Sequence, residues 1–271
     1  MIDTHCHLHR VEFDVDRDQV VRRATEAGIN ILLDPATDYP SNERVVSLAH
    51  NTPEVYAAVG IHPHDAAQLT EGAFQQIADY AHQKKVVAIG EIGLDYYRHI
   101  SDPGLQKEVL KRLLSLARQT GLPVILHCRD QEKGGSSSSQ KGTVYHDLFK
   151  ILREIFEPPL QGLLHCFAGD AAVAQEALDL GLFISFAGNL TFSKADVLRR
   201  VAREVPMDRI VLETDAPFLA PQSRRGQRNE PCFLFELVEA WAGLVNCAPN
   251  EIVRATTSNA QRLFGFPMVD S

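Results

Sequence analysis

The chain has 271 residues, of which 45% are hydrophobic, and a formal net charge of −8 at pH 7 from 27 Lys and Arg against 35 Asp and Glu. This length and composition suit one large core of the size that a (β/α)8 barrel buries. The acidic balance argues against a broad basic surface that grips nucleic acid through many phosphates, so any phosphate binding should be local and metal-assisted.

Eight short apolar runs alternate with helical patterns along the chain. The predicted strands cover residues 2–5, 30–34, 55–62, 86–91, 123–127, 162–165, 183–186 and 209–214. Three strands follow the same phrase, in which Gly stands four residues after Ala24, Ala117 or Ala177, as is typical of a helix that ends in a glycine cap. This alternation indicates parallel βαβ units.

Eight parallel strands close into a (β/α)8 TIM barrel, which we expect to span residues 1–271 as a single domain. An open doubly wound sheet is the alternative fold. That fold would carry its ligands at one switch point, whereas here they are spread through the whole sequence.

Five predicted strands end in residues that can bind a metal. These residues are His5, His7, Glu91, His127, His165 and Asp215. Because the carboxyl ends of barrel strands meet at one face, we expect the six side chains to converge there. Four imidazoles and two carboxylates exceed the needs of a single zinc ion, so we predict two divalent ions bridged by Glu91. Asp215 would orient the attacking water and accept its proton.

Several further side chains are candidates for substrate binding. His62, in VGIHPHD, is expected to contact the substrate or the scissile phosphate, although Pro63 bends the chain there. Tyr96 and Arg98, in GLDYYR, could hold a nucleotide by stacking and charge, or belong to a packed loop. A basic cluster after Asp215 could bind phosphate or be solvated at the surface. Its members are Arg224, Arg225 and Arg228.

Three cysteines adjoin candidate ligands, namely Cys6, Cys128 and Cys166. Because neighbouring strand residues point to opposite faces, we expect these thiols to point away from the metals. A Gly- and Ser-rich insertion at about residues 131–142 predicts a flexible loop on the catalytic face, either inert or covering the substrate. The N-terminus shows no signal-peptide pattern and there is no long apolar run, so we expect a cytoplasmic protein without membrane contact.

The motifs together resemble those of the TatD-like metal-dependent deoxyribonuclease family, one of the amidohydrolase-like hydrolases. The resemblance rests on DTHCHLH, GIHPH, GEIGLDYYR, PVILHCRD, HCFAG, LETDAPFLAP and TTSNAQRLFG, and it covers nearly the whole chain. It implies a TIM barrel and a 3′-5′ exodeoxyribonuclease that acts on DNA 3′ ends or short single strands. We expect the protein to be a monomer. The same six residues become the metal set, and only the insertion after Asp130 departs from the family pattern.

The resemblance leaves the metal and the chemistry open. Family members typically use Mg, whereas four imidazoles favour Zn or Mn. The same barrel and metal set could instead serve an amidohydrolase or esterase, including a D-aminoacyl-tRNA deacylase. A non-catalytic metal-binding scaffold is a third reading, which turnover of any phosphodiester would exclude.

Overall fold

The computed structural model describes residues 1–130 and 143–268, so the predicted flexible insertion lies outside the described residues. Eight parallel strands form one sheet in sequence order. The strands are β1 Ile2–Asp3, β2 Ile31–Pro35, β3 Val55–Val59, β4 Val86–Asp95, β5 Val124–Arg129, β6 Gly162–Leu164, β7 Phe183–Phe186 and β8 Ile210–Leu212. The fold prediction is thereby confirmed, and all eight predicted strands are present.

Nine α-helices lie among the described residues. They are α1 Arg17–Glu26, α2 Tyr39–Asn51, α3 Glu71–Ala81, α4 Pro103–Thr120, α5 Val144–Ile155, α6 Ala171–Asp179, α7 Asp196–Glu204, α8 Leu234–Val245 and α9 Pro249–Phe264. Short 3-10 turns supplement them at residues 11–13, 63–68, 188–191, 207–209, 222–224 and 231–233. Within this described part of the chain no single helix could span a membrane by length and hydropathy, although Pro231–Val245 and Pro249–Phe264, bent by 112°, pass that test as a pair.

Backbone hydrogen bonds close the sheet into a barrel. The Thr4 N–H donates to the Leu212 carbonyl at 3.1 Å, and the Asp215 N–H donates to the His5 carbonyl at 2.9 Å. These bonds join the first strand to the last, which excludes the open doubly wound alternative. They also bring the segments that carry His5 and Asp215 side by side.

The barrel separates two apolar layers. Ile125 belongs to the inner layer, together with Phe264 and Phe266 from the end of the chain. Leu126 belongs to the outer layer, between the strands and the helices. Side chains on β5 therefore alternate between the two layers, and the next inward position after Ile125 is that of His127.

Strand β4 breaks this alternation at Glu91, the predicted bridging ligand. Ile89 pairs with Val124 and Ile92 pairs with Leu126, so β4 advances three residues while β5 advances two. Ile89 packs in the outer layer, and simple alternation would turn Glu91 outward as well. The extra residue of this β-bulge instead lets Glu91 point inward, where it is only 2% exposed.

Gly93 provides a test of how β4 and β5 fit together. A Cβ atom there would lie 1.9 Å from the carbonyl oxygen of His127, and the φ angle of +151° disfavours any L side chain. We expect Gly93→Ala to lower the free energy of unfolding by about 2 kcal/mol or more. Gly243→Ala on α8 is the matched control, because its Cβ would meet no atom within 4 Å. It should raise stability by about 0.5–1 kcal/mol.

Urea denaturation of the wild type and both variants measures their free energies of unfolding. A Gly93→Ala protein as stable as the wild type would contradict the close approach of β4 to β5.

Candidate metal centre

A cavity of about 650 Å³ opens where the predicted ligands meet. His7, Glu91, His127, His165 and Asp215 all line it. His5 lies beneath them and has no exposed surface. The structure thus brings all six predicted metal-binding residues into one cluster.

One oxygen of Glu91 faces a first ligand group, which consists of His5, His7 and Asp215. Glu91 Oε2 lies 3.4 Å from His5 Nε2 and 3.7 Å from His7 Nε2. Asp215 Oδ1 approaches the same two nitrogens at 3.8 and 3.4 Å. Two nitrogens and two carboxylate oxygens therefore surround one small volume, as the ligands of a divalent cation do.

The opposite oxygen of Glu91 faces a second ligand group, which consists of His127 and His165. Glu91 Oε1 lies 2.9 Å from His127 Nδ1 and 3.2 Å from His165 Nε2. Each carboxylate oxygen therefore serves a different set of imidazoles. This is the arrangement that a carboxylate shared between two cations requires.

Hydrogen bonds at the outer side of three rings determine which ring nitrogens face the centre as acceptors. His127 Nε2 lies 3.1 Å from Asp95 Oδ2, and His165 Nδ1 lies 3.0 Å from Glu213 Oε1. His7 Nδ1 lies 3.3 Å from the carbonyl oxygen of Pro35. When the outer N–H donates to these oxygens, the inner nitrogen keeps its lone pair for a metal.

In His62 the donor and acceptor roles of the two ring nitrogens are reversed. The backbone N–H of His64 can only donate, and it donates to His62 Nδ1 at 3.1 Å. Burial, reinforced by the neighbouring His127, holds the pKa of His62 well below its usual range, so the ring is neutral. Its proton must then reside on Nε2, which lies 3.5 Å from Glu91 Oε1 at the cavity wall. His62 is therefore placed as a hydrogen-bond donor into the cavity.

The charges of the cluster favour a cation. His5 Nε2 lies 3.2 Å from His7 Nε2, and burial lowers the pKa of His5 to about 3. Burial alone would raise the pKa of Glu91, but the charge of His165 and the hydrogen bonds of its neighbours hold that pKa well below its usual range. Despite burial, the charges of Glu213 and Glu91 hold the pKa of His165 well above its usual range. A divalent ion would take the place of the proton on the inner nitrogen, and the nitrogen-rich donor set suits Zn or Mn.

Two carboxylates lie behind the ligands, in a role that the sequence did not indicate. Asp95 accepts from the rings of His64 and His127, at 2.9 and 3.1 Å. Glu213 is fully buried and accepts from the Ser185 hydroxyl and the Cys166 N–H as well as from His165. Their positions were the available signal, because Glu213 stands two residues before Asp215 and Asp95 stands four residues after Glu91.

His9 is a further residue for which the sequence suggested no role. It is buried beside His7, with ring centroids 5.6 Å apart. Its Nδ1 lies 2.6 Å from Asp34 Oδ1, and its backbone N–H donates to Asp34 Oδ2 at 2.8 Å. This pair fixes the chain immediately after the two histidines of the first group.

Most of the predicted substrate contacts are not at the cavity. The Tyr96 hydroxyl donates to Asp147 at 2.7 Å, and the ring packs against the core. Tyr96 therefore belongs to a packed loop, the alternative considered from sequence. Arg98 does line the cavity. Its role as a substrate contact stays a prediction.

The structure places the basic cluster after Asp215 outside the cavity wall, and its role in phosphate binding stays a prediction. Arg224 pairs with Glu236 at 2.8 Å, and Arg228 is held by Asp16 and Glu230, at 2.7 and 2.8 Å. Arg225 lies over the Phe192 ring, 4.3 Å from its centroid. Of the described residues, the arginines that line the cavity are Arg10, Arg98 and Arg129. Arg129 was detectable, since it follows His127 by two residues and shares its face of β5.

The cysteine prediction holds for two of three residues. Cys6 and Cys128 lie in the outer apolar layer, although Cys128 also borders the cavity. Cys166 lines the cavity and, unlike Cys128, does not belong to the outer apolar layer, so the expectation that it points away is wrong. The strand ends at Leu164 and Cys166 adopts a φ of +46°, so alternation no longer applies. Within residues 1–130 and 143–268, the groupings able to hold a metal contain no cysteine.

Replacing Glu213 tests whether the outer carboxylates tune the ligands. Glu213→Gln keeps the shape but removes the charge that supports His165, so we expect divalent metal affinity to fall by about 10- to 100-fold. Calorimetric metal titration measures the change, and circular dichroism verifies the fold. Glu236→Gln, whose partner is the surface residue Arg224, should leave metal affinity unchanged. Equal affinities for the wild type and Glu213→Gln would contradict the prediction.

Comparison with known proteins gives a consistent result. Residues 2–265 match the family model described as TatD related DNase. The chain is 37% identical over 264 residues to the metal-dependent hydrolase YabD of Bacillus subtilis (strain 168), covering 97% of this chain and 98% of that protein. It is 36% identical over 274 residues to the 3′-5′ ssDNA/RNA exonuclease TatD of Erwinia billingiae (strain Eb661), covering 98% and 100%.

A solved structure agrees with these matches. The crystal structure of YJJV, a TatD homologue from Escherichia coli K12, aligns with a TM-score of 0.88 at 31% identity and covers 98% of both chains. The matched residues include both ligand groups and Glu91.

Proposed function

Because the chain belongs to the TatD-related DNase family and is a metal-dependent hydrolase, we propose that it cleaves phosphodiester bonds of DNA as a 3′-5′ exonuclease on single strands or 3′ ends. A relative that is 36% identical is named a 3′-5′ ssDNA/RNA exonuclease. The observation that carries the proposal is Glu91, whose two oxygens face two separate ligand groups. Two divalent ions shared by one carboxylate suit phosphoryl transfer.

The proposal assigns distinct roles to the ligands. The first group, with Glu91 Oε2, would hold one ion, and the second group, with Glu91 Oε1, would hold another. Bound divalent ions would polarise the phosphoryl oxygens and lower the pKa of the attacking water. Asp215, which is held between His5 and His7, would orient that water and accept its proton.

His62 is close enough to Glu91 and His127 to hold a metal with them. Because its Nδ1 accepts from the His64 N–H and its Nε2 carries the proton, it would act on the substrate rather than on a metal. Its Nε2–H points into the cavity beside Glu91 Oε1, so it can donate to an oxygen of the scissile phosphate. Charge accumulates on those oxygens as the phosphodiester bond breaks. A fixed donor at that place stabilises the transition state more than the bound substrate.

The size and charge of the cavity support the end of a DNA single strand as the substrate. A cavity of about 650 Å³ is of the size that takes small molecules, so it would admit the end of a single strand and not a duplex. Three arginines line it, and guanidinium groups bind phosphate oxygens in a paired geometry. An ester of mischarged tRNA is the alternative substrate, and it requires no row of phosphate contacts inside the cavity.

Labelled oligonucleotides test the proposal directly. The metal-loaded protein should shorten a 5′-labelled single strand one nucleotide at a time and release the label from a 3′-labelled strand at once. The cleavage rate of Glu91→Gln, purified in parallel, should be lower by roughly a hundredfold or more. Such a loss would show that the cleavage does not come from a contaminating nuclease. Release of 5′ nucleotides first would reverse the polarity. Cleavage of a D-aminoacyl ester but of no phosphodiester would support the deacylase.

His62 variants separate a donor from a ligand. We expect His62→Ala to lower kcat by about 10²- to 10³-fold, because one fixed donor to the transition state is lost. His62→Gln, which retains an N–H donor, should recover part of that loss. The metal content of both variants, measured by atomic emission, should equal that of the wild type. Loss of one metal equivalent would make His62 a ligand.

Arginine variants distinguish the cavity wall from the surface cluster. Arg129→Gln should raise KM for an oligonucleotide about tenfold, since it removes a charged hydrogen bond to phosphate. The dependence of log KM on log salt should also lose about one unit of slope. Arg225→Gln is the matched control, and its KM and salt dependence should equal those of the wild type. A larger effect at Arg225 than at Arg129 would restore the original assignment of the surface cluster.

A further inference from the structure

Phe218 is an apolar ring exposed at the wall of a polar cavity. Its exposed fraction is 43%, although it stands three residues after Asp215. Among the described residues that line the cavity it is the one phenyl ring, and its centroid lies 6.0 Å from that of the His7 ring. A phenyl group this exposed contributes little to the core, and it lies at the wall of the cavity that a substrate would enter.

The backbone around Phe218 is fixed by hydrogen bonds and close packing. The Phe218 N–H donates to the Asp215 carbonyl at 2.8 Å, and Asn229 Nδ2 donates to the Phe218 carbonyl at 2.6 Å. Asn229 is completely buried. On the opposite side Gly188 allows close contact, since a Cβ there would lie 2.0 Å from the Leu219 oxygen. The ring is therefore presented from a rigid segment.

Arg10 accompanies the ring. Its guanidinium carbon lies over Phe218, 5.0 Å from the ring centroid, and Arg10 also lines the cavity. Glu12 orients the guanidinium through bonds of 3.1 to 3.3 Å. A guanidinium over an aromatic ring combines the two elements that bind single-stranded nucleic acid, because the cation meets the phosphate and the ring meets the base.

We propose that Phe218, supported by Arg10, stacks against the nucleobase next to the scissile phosphate and so selects nucleotides over other phosphodiesters. This inference rests on the proposed function. Every base presents a π-face, so stacking there accepts any sequence, as an exonuclease that advances along a strand requires. The role that the sequence suggested for Tyr96 thereby falls to a ring on the loop after β8.

A cycle that removes the ring and the base in turn tests the contact. The substrates are a short oligodeoxynucleotide and two analogues, each abasic at one of the two nucleotides that flank the scissile phosphate. Phe218→Leu should raise KM for the intact strand about tenfold, the effect of losing one stacked base. The KM of the wild type should rise by a similar factor on one of the abasic analogues. The KM of Phe218→Leu should not rise further on that analogue, because the ring that would stack on the missing base is itself absent.

Two further variants keep the test specific. Phe218→Trp should retain the wild-type KM, which shows that a ring and not merely a folded loop is needed. Phe235→Leu is the matched control, because Phe235 is 40% exposed on α8, away from the cavity wall. Additive losses in the cycle, or a Phe218→Leu protein with wild-type KM, would overturn the inference. Absence of phosphodiester cleavage by the wild type would instead overturn the proposed function.

Discussion

The carboxylate of Glu91, shared between two sets of imidazoles, is the interaction on which the site depends. It contacts His5 and His7 through one oxygen and His127 and His165 through the other. An ionised carboxylate buried to this degree is costly unless it is paired. Protonated rings supply that pairing, because hydrogen bonds and nearby carboxylates raise the pKa values of His127 and His165 despite burial. Bound divalent ions would take the place of those protons.

This requirement extends outward into the fold. The bulge in β4 turns Glu91 inward, and Gly93 lets β4 approach β5 so that His127 can reach it. Behind the imidazoles, Asp95 and Glu213 hold the rings in the tautomer that a metal needs. Each outer carboxylate is itself satisfied by several donors, so the orientation of the ligands does not depend on solvent.

The regular parts of this arrangement were predictable from sequence. The fold and the positions of all eight strands follow from periodicity, and alternation places His127 and His165 inside the barrel because Ile125 and Leu163 lie there. Glu91 was selected for its place after an apolar run, yet its inward direction arises from a bulge that no local pattern signals. The metal-binding role of the six residues stays a proposal, and monomeric, cytoplasmic behaviour stays a prediction from sequence.

What sequence could not give was the choice of partners between distant segments. Arg228 looked like a phosphate contact, but Asp16, 212 positions away, occupies its guanidinium. Arg10 and Phe218 look ordinary in sequence and meet only because the closed barrel brings the first and last loops together. Cys166 departs from the predicted alternation because its strand ends two residues earlier. Tertiary contacts decide the first two cases, and the end of a strand decides the third.

Anomalous diffraction from crystals soaked in Mn²⁺ would test the central assignment most directly. The account predicts two peaks, one beside each oxygen of Glu91, separated by about 3.5–4 Å as in two-metal sites. The peak beside Oε2 should be within bonding distance of His5, His7 and Asp215, and that beside Oε1 of His127 and His165. A single peak, or a pair of peaks without Glu91 between them, would contradict it.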